Sequence, residues 1–140
     1  MKRKLLNLIM LLCISANIFA HDFSAVNSDG KTIYYNIISS KEPRTVAVTY
    51  QGVDCLYSNE YTGVVNIPSS VTYSGNTYSV TRIGAYAFYG CSLTSVTIPN
   101  SVTNIGDLSF FDCSSLTSVT IGNSVTRIGI SAFYGCFLFL

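Results

Sequence analysis

The stretch from Ser79 to Asn100 reads SVTRIGAYAFYGCSLTSVTIPN, and Ser101 to Asn123 follows it as SVTNIGDLSFFDCSSLTSVTIGN. A third copy, SVTRIGISAFYGCFLFL, runs from Ser124 to Leu140. The segments have 22, 23 and 17 residues, and the same residue types return at the same places. Recurrence at a fixed period predicts a repeat solenoid, in which each repeat is one coil stacked on its neighbours. The recurring positions are Val80/Val102/Val125, Ile83/Ile105/Ile128, Gly84/Gly106/Gly129, Phe88/Phe110/Phe133 and Cys91/Cys113/Cys136.

Each complete repeat contains a strand pattern and a turn pattern. From Leu93 to Ile98 the apolar residues have an LxxLxL spacing, in which Val96 and Ile98 alternate with Thr97 at the strand period of two. Leu116, Val119 and Ile121 repeat this spacing in the second coil. We therefore predict one short strand per coil, parallel to its neighbours and about 4.8 Å away from them. Val80 to Ile83 is extended again, and Gly84 then permits a bend.

The segment from Ala85 to Gly90 has room for about one helical turn that carries Phe88 inward. Gly90 and Gly135 suit a left-handed closing residue, whereas Asp112 fits the equivalent position less well. Each coil is thus predicted to combine a short strand with a short helical turn. A single coil buries little apolar surface, so stacking must stabilise the array.

The combined pattern IPxSVTxIGxxAFxxCxSLTSVTIP resembles the BspA-like leucine-rich repeat of bacterial secreted and cell-surface proteins. The residues that carry the resemblance are Val80, Ile83, Gly84, Ala87, Phe88, Cys91, Leu93, Val96, Ile98 and Pro99, with their counterparts in the second coil. The resemblance implies a leucine-rich-repeat solenoid and a non-enzymatic binding surface, which in this family is associated with adhesion to host matrix proteins and cells. It maps no binding residues, because the family has no fixed ligand motif.

The N-terminus has the pattern of a secretory signal. Three basic residues from Lys2 to Lys4 precede a run from Leu5 to Ile14 that is apolar apart from Asn7. We predict a signal peptide at residues 1–20, cleaved after Ala20, and hence export to the cell surface, the periplasm or the medium. The run is too short for a membrane span of about 20 residues, so no transmembrane segment is expected after cleavage.

Composition excludes nucleic acid as a partner. The formal net charge is +1, and loss of the three basic residues with the signal changes it to −2. Of the remaining 120 residues 31 are Ser or Thr, so hydroxyls rather than charges are expected to meet solvent. Such weak charge gives no electrostatic footprint for nucleic acid.

Residues 21–78 are predicted to form an N-terminal β cap with hairpins, ahead of repeats at 79–140. Asp29-Gly30 and Gly75-Asn76 are hairpin-type turns between alternating stretches. The second hairpin would bring Tyr73 and Tyr78 together across the strand pair. No Pro-rich or Ser/Gly-rich linker separates the cap from the repeats, so both are expected to fold as one unit.

The cysteines and the single histidine give no catalytic or metal site. The column Cys91, Cys113 and Cys136 is open to redox chemistry or cross-linking, but parallel side chains suit disulfides poorly, and we predict thiols packed as small hydrophobes. Cys55 is predicted to be unpaired. There is no CxxC pair, His21 stands alone, and no cofactor motif occurs. We therefore expect neither metal, nor cofactor, nor enzymatic activity.

Two sets of side chains are candidate binding residues. Outward hydroxyls form a ladder along the predicted strands, and two tyrosines flank Phe88 on the turn. Threonine also suits exposed strand positions for structural reasons alone. Arg82, Asn104 and Arg127 form a broken basic column that is most simply a solvated edge. The ladder comprises Thr94, Ser95, Thr97, Thr117, Ser118 and Thr120, and the tyrosines are Tyr86 and Tyr89.

These features predict an extracellular binding or adhesion protein whose repeat surface contacts a host matrix protein, a cell-surface protein or a glycan. The alternatives are a structural module that self-associates through an uncapped last coil, and a fragment of a longer repeat protein. The third repeat ends in mid-coil, where Phe137 to Leu140 replace the expected Ser and Thr. That tail either folds over the open end or marks a truncated copy of a longer gene.

Overall fold

The computed structural model describes residues 21–52 and 61–137. The predicted signal peptide at 1–20, Cys55 and the tail from Leu138 to Leu140 lie outside the described residues. The strands are β1 (Phe23–Val26), β2 (Thr32–Ser39), β3 (Thr45–Thr49), β4 (Thr62–Asn66), β5 (Ser70–Tyr73), β6 (Asn76–Ile83), β7 (Ser92–Ile98), β8 (Asn104–Ile105), β9 (Ser118–Ile121) and β10 (Arg127–Ile128).

The strands form two sheets. The larger has the order β1-β2-β3-β6-β8-β10, with β5 also paired to β6, and the smaller has the order β4-β7-β9. Along this order pairing is antiparallel from β1 to β3 and parallel from β3 to β10, and the additional strand β5 pairs with β6 in the antiparallel sense. The smaller sheet is parallel throughout. The predicted parallel stacking is therefore confirmed, but each coil contributes to two sheets rather than one.

Stacking begins upstream of the first complete repeat. Val65 in β4 pairs with Val96 in β7, which pairs with Val119 in β9. The ring of Tyr61 packs on Phe88 with 4.6 Å between centroids. Residues assigned by sequence to the cap thus form the first layer of the smaller sheet, while β6 runs across residue 79, where the repeats were predicted to begin.

The predicted helical turns are not confirmed, because no helix occurs among the described residues. Tyr86, Leu108 and Ser131 occupy the same position in successive coils and have φ between 52° and 60°. A right-handed helix cannot continue through a left-handed residue. Gly90, Asp112 and Gly135 are also left-handed, as the sequence predicted for the closing position.

Backbone hydrogen bonds of the turns run between coils. The Phe88 amide donates to the Ser109 carbonyl at 2.7 Å, and the Phe110 amide donates to the Ala132 carbonyl at 2.8 Å. The Gly90 amide bonds to the Phe111 carbonyl in the same way, at 2.8 Å. The turn side of the solenoid is therefore a third ladder beside the two sheets.

Columns of apolar side chains fill the space between these ladders. Phe88 and Phe110 stack at 4.8 Å, and Phe110 and Phe133 at 5.0 Å, with nearly parallel rings. Offset aromatic pairs of this kind contribute about 0.5–1.5 kcal/mol beyond their burial. Leu93 and Leu116 are fully buried, although the second coil has one residue more between its cysteine and its leucine. Exposed Ser114 and Ser115 accommodate that residue.

The hairpin of β5 and β6 differs from the prediction by one residue. Ser74 and Gly75 form its loop, both with positive φ, and Tyr73 pairs with Asn76 rather than with Tyr78. A two-residue turn with both central residues left-handed favours glycine in the second place, which shifts the register. Phe23 joins the two tyrosines by stacking on Tyr73 at 4.2 Å and contacting Tyr78 at 6.2 Å.

The repeated glycine is required by close packing between coils. A Cβ added at Gly106 would lie 2.6 Å from the backbone nitrogen of Ala85 and 2.7 Å from the carbonyl carbon of Gly84. Both atoms belong to the backbone of the preceding coil and cannot rotate away. The sequence suggested that glycine at this repeat position permits a bend, whereas in the structure it is needed for coil spacing and has no positive φ.

We expect Gly106→Ala to lower the free energy of unfolding by about 1–3 kcal/mol, because the methyl group forces neighbouring backbones apart. Urea denaturation followed by circular dichroism measures the change. Ser115→Ala, at an exposed position in the same coil, is the control and should change it by less than about 0.5 kcal/mol. Equal stability of Gly106→Ala and the wild type would contradict the close approach of the coils.

Candidate functional site

The predicted hydroxyl ladder lies on the outer face of the smaller sheet. Ser95 pairs in register with Ser118, and Thr97 pairs with Thr120. The buried residues Val96 and Ile98 alternate with them and point inward. The same two outward columns continue onto β4 at Val64 and Asn66, which sequence analysis did not include in the site.

Four of these hydroxyls are available to a ligand. Among the residues the structure describes, the hydroxyls of Ser95, Thr97, Ser118 and Thr120 make no hydrogen bond. Thr94 and Thr117, the remaining two residues of the ladder, differ, because the Thr117 hydroxyl donates to the Thr94 carbonyl at 3.4 Å. Hydroxyls both donate and accept hydrogen bonds, so the face presents regularly spaced donors and acceptors, one strand spacing apart.

Tyr86 and Tyr89 lie on the turn side of the solenoid, away from the outer face of the smaller sheet. Their ring centroids are 5.8 Å apart. Tyr89 stacks on Phe111 at 5.2 Å, and Phe111 stacks on Tyr134 at 5.3 Å. The two predicted tyrosines therefore belong to a longer aromatic column, in which Tyr134 is 68% exposed.

Sequence analysis missed Phe111 and Tyr134 as members of this column. The signal was present, because both occupy the repeat position of Tyr89. Stacking of successive coils places equal repeat positions above one another. The hydroxyl ladder and the aromatic column remain separate surfaces, on different sides of each coil.

The cysteine column is a packing feature. Cys113 and Cys136 are free thiols, and Cys91 and Cys113 are buried. The Cys113 thiol donates to the Phe88 carbonyl at 2.9 Å, and the Cys136 thiol donates to the Phe110 carbonyl at 3.0 Å. Burial, followed by the neighbouring thiols, raises the pKa of Cys113 to about 12. Burial also raises the pKa of Cys136.

Among residues 21–52 and 61–137 no group of three or more His, Cys, Asp or Glu side chains is placed to hold a metal ion. The same residues include no helix with the length and apolar character needed to cross a membrane.

The repeat segment matches a known family. The family described as "BspA type Leucine rich repeat region (6 copies)" matches residues 81–139. Residues 81–139 are BspA-type leucine-rich repeats. A comparison with curated proteins gave no match.

Solved structures of bacterial leucine-rich repeat proteins share this fold. A leucine-rich repeat protein from Bacteroides ovatus ATCC 8483 is 33% identical, with a TM-score of 0.62 over 84% of this chain. A leucine rich cell surface protein from Faecalibacterium prausnitzii A2-165 is 32% identical, with a TM-score of 0.55 over 79% of the chain. The chain spans only 34% and 27% of these two proteins. A leucine-rich repeat protein from Bacteroides capillosus ATCC 29799 is 29% identical, with a TM-score of 0.53, over 75% of this chain and 70% of its own.

The cysteine geometry predicts unequal reactivity. Burial raises the pKa of Cys113 to about 12, so its reactive thiolate form is scarce at pH 8. We expect iodoacetamide to label half-buried Cys136 faster than buried Cys113 in the native protein, as measured by peptide mapping with mass spectrometry. Both should react at similar rates in urea. Equal labelling of the two in the native protein would contradict the assigned burial.

Proposed function

We propose that this chain is a non-enzymatic, extracellular binding protein that contacts a protein partner through the outer face of the smaller sheet. The observation that carries the proposal is the in-register hydroxyl ladder of Ser95, Thr97, Ser118 and Thr120. The BspA-type repeat supports surface protein binding in general. The cell-surface description of the Faecalibacterium relative supports an extracellular location.

The ladder is suited to binding because it is rigid before the ligand arrives. Threonine side chains are β-branched and have restricted χ1 angles. Thr97 and Thr120 are further held by strands that hydrogen-bond on a buried core. Little side-chain entropy is lost when such groups bind, so more of the interaction energy contributes to affinity.

The aromatic column supplies a second contact surface on the turn side. Tyrosine and phenylalanine are enriched at protein interfaces, where their rings bury a large area at low entropic cost. Tyr89, Phe111 and Tyr134 are fixed relative to one another by stacking. A partner that covers the turn side would bury the exposed edge of this stack.

The favoured partner is a host matrix protein, with a cell-surface protein or a glycan as alternatives. A signal peptide at residues 1–20 would direct export of the chain. Residues 21–78 would cap the repeats at 79–140. The pairing of β3 with β6 supports this arrangement, because it joins the antiparallel hairpins directly to the parallel stack.

A double substitution tests the ladder. We expect Thr97→Lys with Thr120→Lys to reduce capture of the bound protein at least about tenfold on an array of purified extracellular-matrix proteins and glycans, because two bulky charges would then occupy the face. The control is Thr32→Lys with Thr72→Lys, at exposed strand positions of the larger sheet, which adds the same charge elsewhere. Equal capture by the ladder variant and the control, both folded, would exclude the ladder as the binding face.

A self-associating module is the second candidate function. It is favoured by exposed apolar side chains in β10 and in the segment that follows it, where Ile128 is 52%, Ile130 is 77% and Phe137 is 67% exposed. Parallel edge strands with apolar side chains pair readily with a second copy.

Sedimentation velocity at micromolar concentration separates the two candidates. A monomer is expected if the chain acts as a binding protein on its own. Concentration-dependent dimers that Ile128→Lys abolishes would favour self-association instead, because a charge at this edge opposes strand pairing.

A further inference from the structure

The larger sheet carries an open groove that the proposed function does not use. Its volume is about 340 Å³, and it lies where β6, β8 and β10 run side by side. Arg82 pairs in register with Asn104, which pairs with Arg127, so the three side chains form one row across the strands. All three line the groove.

The charge distribution singles out this row. Between residues 79 and 140 the sequence has only two basic residues, Arg82 and Arg127, and both lie in the groove. Parallel strands lie about 4.8 Å apart, so the two arginines, separated by one strand, are about 9.6 Å apart at the backbone. The groove is thus the one place in the repeats where positive charges are gathered.

The donors of this row are unused. In the part of the chain that the structure describes, neither the Arg82 nor the Arg127 guanidinium group makes a hydrogen bond or an ion pair, whereas the Arg44 guanidinium pairs with Glu42. The side-chain oxygen Oδ1 of Asn104 accepts from the Thr103 hydroxyl at 2.8 Å, which leaves the side-chain NH2 group of this groove-lining residue as a donor. Guanidinium groups bind carboxylates through two parallel hydrogen bonds.

The other residues that line the groove determine its shape and its polarity. Small residues, including Ala47 and Gly106, leave the floor open, and Ile38 gives an apolar wall. Asp107 also lines the groove. One of its carboxylate oxygens accepts from the Ile130 amide at 2.8 Å, so its negative charge is held in place and opposes an anionic ligand.

We propose that the groove binds an acidic peptide segment of the pattern acidic-x-x-acidic in the polyproline II conformation, lying along the stacking direction. Such a helix has three residues per turn and rises about 3.1 Å per residue, so residues three apart share a face and lie about 9.3 Å apart. This spacing matches that of Arg82 and Arg127. Each guanidinium receives one carboxylate, and the Asn104 amide donates to a peptide carbonyl between them.

The test uses two fluorescein-labelled peptides of identical composition. Pro-Glu-Pro-Pro-Glu-Pro places its carboxylates at the matching spacing, and Pro-Pro-Glu-Glu-Pro-Pro places them next to each other on different faces. Fluorescence anisotropy at low ionic strength measures Kd, because salt screens exposed charges. We expect the first peptide to bind more tightly.

Variants of the groove should change Kd in opposite directions. Arg82→Gln and Arg127→Gln should each weaken binding of the matching peptide about two- to fivefold. Asp107→Asn should strengthen binding, because the repelling charge is removed while the oxygen that accepts from Ile130 is kept; misfolding cannot produce such a gain. Lys31→Gln with Lys41→Gln removes two positive charges elsewhere and should leave Kd unchanged.

Three outcomes would overturn the proposal. They are equal binding of the two peptides, equal binding by the wild type and the Arg82→Gln/Arg127→Gln variant, and arginine-dependent binding of trigalacturonate without binding of either peptide. The last would assign the groove to acidic sugar chains. None of them bears on the hydroxyl ladder, because these substitutions lie on the other sheet.

Discussion

Backbone hydrogen bonds between neighbouring coils are the constraint on which this structure depends. They occur on all three sides of the repeat: from Thr117 to Thr94 at the smaller sheet, from Gly106 to Ile83 at the larger sheet, and from Phe88 to Ser109 at the turns. A coil alone would leave these groups without partners, and buried groups without partners are costly. Coil spacing is therefore set by the hydrogen bond. That spacing excludes a side chain at Gly106 and brings the phenylalanine rings into stacking contact.

Much of this arrangement followed from the sequence because repetition makes each position predict its neighbours. The parallel strands, the apolar columns and the left-handed role of Gly90 and Gly135 all came from the period and from residue chemistry. The predicted helical turns are not confirmed, because Tyr86 and Leu108 have a positive φ that nothing in their residue types indicates. Coil-to-coil hydrogen bonds impose that conformation against local preference.

Of the two candidate surfaces, the hydroxyl ladder could be predicted from the sequence and the groove could not. The hydroxyl ladder needed only alternation and register, so its residues could be named in advance. The sequence also indicated the row of Arg82, Asn104 and Arg127, but not the groove around it, because Ile38 and Ala47 come from strands far away in sequence. Ser109 is another residue that the repeat pattern does not account for. It replaces the alanine of the other two coils, and its buried hydroxyl has no hydrogen-bond partner among the described residues. Burying a hydroxyl without a partner costs about 1–3 kcal/mol.

The extra residue of the second coil has a wider consequence. Exposed Ser114 and Ser115 absorb it at one corner, and the buried columns on either side stay in phase, since Leu93 and Leu116 are equally buried. A coil can therefore hold an additional residue at this corner without disturbing the core. The difference in length between these two coils lies on the side facing solvent, and the buried scaffold is the same in both.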